Sequence, residues 1–582
     1  MAKTSMDFKL LMRLLRETVP YAVLFWTCLA LAVLLAPINS IRPFLVGKMV
    51  DDHILIGDLP GLKTIAIIYV VLTLVNVVMR YAFIYLTALV GQNVIRDLRT
   101  RVFKKMTSLP LSYFDKTPIG TATTRTVNDI ETINTIFTQG VITMVADVLS
   151  IIAVIGVMLF TSWRLTMICL LTLPLLIIAT YVFKEKVRVA YQKVRTQISV
   201  MNAFLQERIS GMRVVQIFNA EEQEMAKFKK INRTYTKANL DSILYYAIFF
   251  PVVEIISAIA FALLVWWGTR GYWHETISFG ALVAFPMYLN MLFRPVRLLA
   301  DKLNTLQMGL VAAERVYDVL DNTAAIEDKG KIEKTNVKGN LNIENVWFSY
   351  LKDDYVLKDI SLNIKAGETL AIVGSTGSGK TTIINLVNRF YEIDKGRITL
   401  DDTDIKDFTL ANLRTHFATV LQDVFLFSGS IMDNITLRDD NITQAEVIKA
   451  SKMIGAHQLL SSGEDGYAFK VMERGANLSM GQRQLISFVR ALVADPDVLI
   501  LDEATSSIDP ETESVIQYAI EKLIERRTSI IIAHRLSTIK HADQILVLDK
   551  GKKVEYGSHD ELLKIPNGKY QQLYNIQFAE SA

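Results

Sequence analysis

The sequence predicts an α-helical membrane domain of six transmembrane helices with long extensions beyond the bilayer, followed by an α/β domain. Three observations carry this expectation. The 582-residue chain is 51% hydrophobic yet 21% charged, too apolar for an ordinary soluble protein and too charged to lie wholly in lipid. Almost all the long apolar stretches fall in the first half. In the second half, short β-rich runs alternate with helical runs and Gly-rich turns. The division expected is a membrane domain at 1–317, a charged linker at 318–340 and an α/β domain at 341–582.

The six apolar stretches lie at 21–37, 65–89, 141–160, 167–183, 243–267 and 279–293. Each approaches the roughly 20 residues that cross a bilayer core of about 30 Å. The first and fourth reach that length only when Ser, Thr or interfacial Trp are counted. One such stretch could be a buried helix of a soluble core; six in series could not. Lys3, Lys9, Arg13 and Arg16 precede the first. Arg96, Arg99, Arg101, Lys104 and Lys105 follow the second, and Lys184, Lys186, Arg188, Lys193 and Arg195 the fourth. The other connections are short and poor in basic residues, so both termini and the α/β domain are expected in the cytoplasm of a multi-pass plasma-membrane protein. The first apolar run has no clear small-residue cleavage site, so no cleavable signal peptide is expected. Ahead of it, Phe8, Leu11 and Leu15 recur at helical spacing among basic residues, which suits a helix lying in the membrane surface.

The connections after the second and fourth spans, about 50 and 60 residues, are charged and helix-compatible and lack turn clusters. They read as helices running straight on from the spans, at about 1.5 Å per residue. Near the middle of each there is a break, at 113–120 and at 211–219, where a short transverse segment would expose Phe114 and Phe218 to a partner surface. The net charge of +4 is small for this length and gives no reason to expect nucleic acid. Cys28 and Cys169 lie in apolar runs with neither metal-site nor disulfide spacing.

Two motifs carry chemistry. Gly374-Ser375-Thr376-Gly377-Ser378-Gly379-Lys380-Thr381 follows an apolar strand at 369–373 and precedes a helical run at 382–389. This is G-x-x-x-x-G-K-[ST] in strand–loop–helix context, a phosphate-binding P-loop. Its glycines let backbone N–H groups approach phosphate oxygens, Lys380 reaches the outer phosphates, and the Thr381 hydroxyl suits Mg²⁺. The second motif, at 498–503, is a continuous apolar strand ending in Asp502 and Glu503. Asp502 suits the Mg²⁺ shell, and Glu503 can align or deprotonate an attacking water.

With these in place, nearly the whole chain resembles an ATP-binding-cassette exporter half-transporter, similar to the bacterial lipid A flippase and multidrug exporter group. Leu478-Ser479-Met480-Gly481-Gln482 resembles the family signature LSGGQ, and Gln422 the Q-loop glutamine. Tyr350 resembles the adenine-stacking aromatic, Asp509 the D-loop acid, His534 the switch histidine, and Glu473-Arg474-Gly475 the X-loop.

The resemblance implies an ATPase that couples hydrolysis to transport, with ATP and Mg²⁺ as cofactors and a second half-transporter subunit as partner. Glu503, His534 and Gln422 would be catalytic. Tyr350, residues 374–381, Thr382, Ser479, Gly481, Gln482 and Asp509 would contact nucleotide. Thr381, Gln422 and Asp502 would hold the metal. The transverse segments near Phe114 and Phe218 would be coupling helices, and transport would proceed by alternating access.

Met480 stands where the family pattern has Gly. Methionine is tolerable there if the position offers only backbone at negative φ, and weakens the site if it needs the left-handed region. The intact Glu503 favours a homodimer with two working sites; a heterodimer with one degenerate site is the alternative. The expected cargo is amphipathic or lipidic, lipid A-type lipids or hydrophobic drugs. An ATP-gated channel or regulatory membrane ATPase is the other reading of the same motifs. Arg42, Arg80, Asp147, Glu254 and Arg294 lie in or near spans, as substrate contacts or as interhelical pairs. Asn76 and Asn290 are expected to join helices.

Overall fold

The computed structural model describes residues 7–324, 326, 328–463, 465–502, 510–533 and 539–578. The chain divides into two compact units. One comprises 1–108 and 117–323, the other 109–116 and 324–582.

In the first unit, α1 (Phe8–Arg16) is amphipathic, with Leu11 and Leu14 buried and the Asp7 carboxylate capping its N-terminus. The long helices are α2 (Ala22–Lys48), α3 (Leu59–Ser108), α7 (Val141–Thr161), α8 (Trp163–Ser210), α10 (Glu221–Trp273) and α11 (Phe279–Leu320). Between them in chain order lie the short helices α4 (Leu111–Lys116), α5 (Ile119–Thr126), α6 (Asn128–Thr135) and α9 (Met212–Ile217). Six candidate spans result, and the 50 residues of α3 extend about 75 Å, more than twice the bilayer core.

On α3, Val70, Val71, Leu74, Val77 and Val78 are all exposed, a surface only lipid or another apolar face would cover. Pro37, Pro43, Pro174, Pro251, Pro286 and Pro295 lie inside these helices, as neighbouring spans permit. Packing is led by Phe285, Tyr288 and Phe293 of α11 against Leu165, Cys169 and Leu176 of α8 and Val253, Ala260 and Leu264 of α10.

Polar side chains join these helices as well. Asn76 Nδ2 donates to Asn39 Oδ1 at 3.1 Å, joining α3 to α2. Asn290 instead donates to the Pro286 carbonyl of its own helix, so it does not join helices through that bond. Asp147 pairs with Lys302, an interhelical ion pair from α7 to α11. At the far end of the spans, Asp51 Oδ1 accepts from the Gly280 N–H at 2.6 Å, tying the end of α2 to the start of α11. α1 is fastened to the end of α11 by Arg13, which pairs with Asp321 at 2.6 Å and lies over the Tyr317 ring.

The second unit holds β1 (Leu341–Leu351), β2 (Asp354–Ile364), β3 (Thr369–Gly374), β4 (Lys395–Leu400), β5 (Thr403–Asp404) and β6 (Phe417–Val420). It continues with β7 (Gly429–Ser430), β8 (Lys470–Val471), β9 (Val498–Asp502), β10 (Thr528–Ile532), β11 (Gln544–Asp549) and β12 (Lys552–Gly557). The main sheet has the order β12-β11-β3-β10-β9-β6, parallel except for β12. β3, β9 and β10 are buried almost throughout, which is why their sequences are unbroken apolar runs. An antiparallel sheet, β2-β1-β4-β5, covers one side, and β7 pairs with β8.

The segment 318–340 departs from a plain charged linker at both ends. α11 continues to Leu320 with Val316, Tyr317 and Val319 buried. Further on, Ile332 bridges Phe408, and Gly330 lies so close to the same segment that a Cβ would sit 1.9 Å from the Phe408 carbonyl oxygen.

Candidate nucleotide site and the family it identifies

The P-loop lies between β3 and α12 (Lys380–Val387). β3 sits between β10 and β11, so the loop leaves the middle of the parallel sheet, at the carboxyl ends of its strands. Gly379 turns the chain into α12 at φ +103°, and a Cβ there would lie 2.6 Å from Leu357 Cδ2. The backbone angle requires glycine, and any Cβ would also have to displace the Leu357 side chain. The run expected at 382–389 is helical from Lys380 to Val387 and ends before Arg389, whose φ is +49°.

Around this loop the predicted residues fall as follows. Lys380 Nζ folds back over the loop and donates to the carbonyls of Gly374 at 2.8 Å and Ser375 at 3.1 Å. Ser375, Thr376 and Gly377 are exposed at its crest. Ser378 is buried with its Oγ unpaired. The Thr381 side chain is exposed, whereas Thr382 is buried and accepts from the Tyr350 hydroxyl at 3.3 Å.

Burial pushes the Lys380 ammonium below its ordinary value, and the charge of Asp502, at the end of β9, pulls it back up. A backbone cradle, a poised ammonium, an exposed hydroxyl and a carboxylate at a strand end make a donor set that fits a nucleotide polyphosphate and Mg²⁺. Gln422 is exposed just beyond β6, the strand beside β9.

Tyr350 closes one side of the loop. Its ring meets Phe348 edge-on at 4.8 Å and Tyr391 at 5.1 Å, and Asn385 Nδ2 donates to its hydroxyl at 3.3 Å. Sequence reasoning missed Tyr391 and Asn385. Tyr391 also donates to the Asp115 carboxylate of α4, the short helix that groups with this unit. On α4, Phe114 is partly exposed against Tyr113, while Phe218, after α9, is largely exposed.

The signature segment caps the helix Met480–Val493. Ser479 Oγ accepts from the Gln482 N–H at 3.1 Å, and Gln482 Oε1 accepts from the Ser479 N–H at 3.0 Å, a reciprocal capping box. Gly481 is buried in the first turn. Met480 holds ordinary helical backbone and projects an exposed side chain. The left-handed region that would exclude methionine is therefore not used there. Just upstream, Arg474 at φ +57° and Gly475 at φ +69° form a sharp turn. Glu503, Asp509 and His534 lie outside the described residues.

A membrane unit of six spans and an α/β unit with this loop now stand on one chain, and known proteins share the combination. Residues 25–296 match the ABC transporter transmembrane region family, and residues 357–506 match the ABC transporter family. An uncharacterized ABC transporter ATP-binding protein of Bacillus subtilis (strain 168), YknV, is 40% identical over 97% of this chain and 94% of its own. The chain belongs to the ATP-binding-cassette transporter family. The ATP-dependent lipid A-core flippase of Desulfotalea psychrophila is 36% identical over 98% of this chain and 99% of its own. A B. subtilis relative named a probable multidrug resistance ABC transporter ATP-binding/permease protein, YheH, is 36% identical over 89% of this chain and 77% of its own. The chain is thus an exporter-type half-transporter, a multi-pass membrane ATPase that couples ATP hydrolysis to transport. A half-transporter carries one cassette, so the working unit contains a second subunit.

The helical backbone at Met480 gives a direct expectation. Met480→Gly should leave ATP turnover within about twofold, with at most about 1 kcal/mol of helix stability lost. Steady-state ATPase rates of the two chains check this. A large fall in turnover would give the methionine side chain itself a role.

Proposed function

We propose that this half-transporter is an ATP-driven exporter or flippase that moves amphipathic or lipidic molecules, lipid A-type glycolipids or hydrophobic drugs, out of the cytoplasmic leaflet. The observation that carries the proposal is the complete phosphate cradle on a chain with six spans and full-length relatives named for lipid flipping and drug resistance. The working unit is a homodimer in the bacterial plasma membrane, with both termini and the cassettes in the cytoplasm. The basic residues flanking the spans support that orientation.

In this reading, the phosphates of ATP draw Lys380 from its carbonyl partners, and the Ser378 Oγ gains a partner. Tyr350, held edge-on by Tyr391 and anchored to Thr382, stacks on the adenine. Thr381, Gln422 and Asp502 would hold Mg²⁺, which would supply positive charge against the phosphates. Glu503 takes the proton of the attacking water, and His534 contacts the γ-phosphate.

The helix capped at Ser479 aims its N-terminal N–H groups at the γ-phosphate bound by the other subunit. Gly481 allows close approach, Gln482 holds the cap, and Asp509 lies across the dimer seam. ATP joins the cassettes and hydrolysis releases them. The bond from Tyr391 to Asp115 supports α4 as the element through which that motion reaches the spans.

The test is the ATPase rate of this chain alone in lipid nanodiscs, with lipid A-type glycolipid or with hydrophobic cations. Stimulation by the glycolipid is the result expected of a self-sufficient lipid flippase, and stimulation by the cations alone assigns drug export. No turnover under any condition overturns the homodimer.

A further inference from the structure

Tyr391 stands where three parts of the cassette unit meet, on a mounting stiffer than that of its neighbour Tyr350. It belongs to the segment 388–394, between α12 and β4. Hydrogen bonds staple that segment on both sides. Asn388 Nδ2 donates to the Ile384 carbonyl at 3.0 Å and the Phe390 N–H to the Asn385 carbonyl at 2.9 Å, so it is tied to the end of α12. Arg389 is 3% exposed, with its Nε 2.8 Å from Glu392 Oε1. On the β1 side, Asp394 Oδ2 accepts from the Ser349 N–H at 2.8 Å and from the Ser349 hydroxyl at 3.0 Å. The cassette's own bonds therefore fix the segment without nucleotide.

Tyr350 is held less firmly. It lies at the end of β1, where the pairing with β2 is irregular on both sides of Ser349, and it is 38% exposed. The bonds from its hydroxyl to Thr382 and from Asn385 to it are each 3.3 Å, longer than the usual hydrogen bond of either type. Its ring is oriented instead by two edge-on contacts, with Phe348 at 85° and with Tyr391 at 89°. Phe348 is buried and itself meets Tyr391 at 5.6 Å, so the three rings close a triangle. A base laid on the open face of Tyr350 would fix that ring, and the edge-on contact would pass the restraint to Tyr391.

Tyr391 carries the chain of contacts one step further. Its hydroxyl donates to the Asp115 carboxylate on α4. A carboxylate acceptor makes this a charge-assisted bond, roughly twice as strong as a neutral one. In chain order α4 lies between α3 and α5, so what orders α4 acts on the chain that leads back to the spans. The P-loop, by contrast, enters α12 at its first turn, eight residues and about 12 Å from this segment. Base and phosphates thus meet the cassette at separate places, and the base lies on the side of Tyr391.

We infer, on the reading that Tyr350 stacks on the adenine, that Tyr391 is a positioning residue through which the base, rather than the phosphates, orders α4. A stacked base removes freedom from the Tyr350 ring, and the Tyr391 hydroxyl then holds Asp115 for a larger share of the time.

The test is amide hydrogen exchange at 111–116 in the full-length protein in lipid nanodiscs. The probes are a non-hydrolysable ATP analogue and inorganic tripolyphosphate, each at a concentration that displaces a fluorescent adenine nucleotide. The analogue should slow exchange roughly tenfold, the factor that one charge-assisted hydrogen bond carries. Tripolyphosphate has no base to stack and should slow it by less than about twofold. Asp115→Ala removes the acceptor and should lose the protection while binding the analogue within about twofold of wild type, as an exposed position allows. Tyr391→Phe keeps the ring and removes the hydroxyl, and should lose the same protection. The double variant should lose no more than either single one.

Equal protection by the two probes, or full analogue-dependent protection in both variants, overturns the inference and leaves adenine stacking on Tyr350 intact. Exchange raised equally with and without the analogue makes the bond a plain structural tie and overturns it too. A Tyr350→Ala chain that binds analogue and tripolyphosphate in the wild-type ratio overturns the stacking reading itself.

Discussion

Replacing Glu503 with Gln is expected to cut ATP turnover by about 10²- to 10⁴-fold, the range a positioned general base supplies, while leaving ATP binding intact. The amide has the shape of the carboxylate and can still hold a water, but it cannot accept the water's proton. It also removes a negative charge that would face the γ-phosphate, so the bound state should persist. The variant should accumulate a closed, ATP-bound dimer, seen as cross-linking between cassettes that depends on ATP and not on ADP. Turnover at the wild-type rate would remove Glu503 from the proton transfer and move the base elsewhere.

The second large effect is at the loop itself. Lys380→Ala should weaken ATP binding by roughly ten- to a hundredfold, because a charged hydrogen bond to phosphate is worth about 1.5–3 kcal/mol. The two carbonyls that Lys380 now caps, those of Gly374 and Ser375, would also be left facing the phosphates without a cation between them. Nucleotide cross-linking at limiting ATP measures the loss, and normal labelling would contradict the assignment.

The same residue gives a pH dependence. Burial lowers the Lys380 value in the free protein, and a bound phosphate favours the charged form. Binding therefore takes up a proton once pH exceeds the free value. Affinity for ATP should decline with rising pH and begin to do so below the ordinary lysine range.

The resemblance carried by short motifs led to the same family that the whole chain matches, because those motifs are local. A phosphate loop needs a strand, a glycine turn and a helix in immediate succession, so its chemistry is written in adjacent residues. The expected strand at 369–373 ends one residue later, at Gly374, and the following helix starts two residues earlier than its expected run, at Lys380. Lipid imposes a comparable local rule. Each span must be apolar and about 20 residues long, and so it shows in the sequence without any knowledge of its neighbours.

Position Met480 marks the limit of that legibility. The letter alone left two readings open, and the choice depended on a backbone angle. The Ser479–Gln482 capping box places the residue in the first helical turn, where methionine costs nothing unusual.

The sequence by itself determined the division into a membrane half and a nucleotide-binding half, and the loop that would receive phosphate. Periodicity, span length and motif order are all properties of neighbours along the chain. Only the tertiary structure decided which residues support that loop and where the linker docks. Tyr391 reaches Tyr350 across 41 positions and Asp115 across 276, and His416 meets Asp497 across 81 and Lys334 across 82. Nothing in the local pattern marks a lone tyrosine or histidine for such contacts. The Asp497 carboxylate and the Lys334 carbonyl stand on opposite sides of the His416 ring, an arrangement that exists only once the chain has folded.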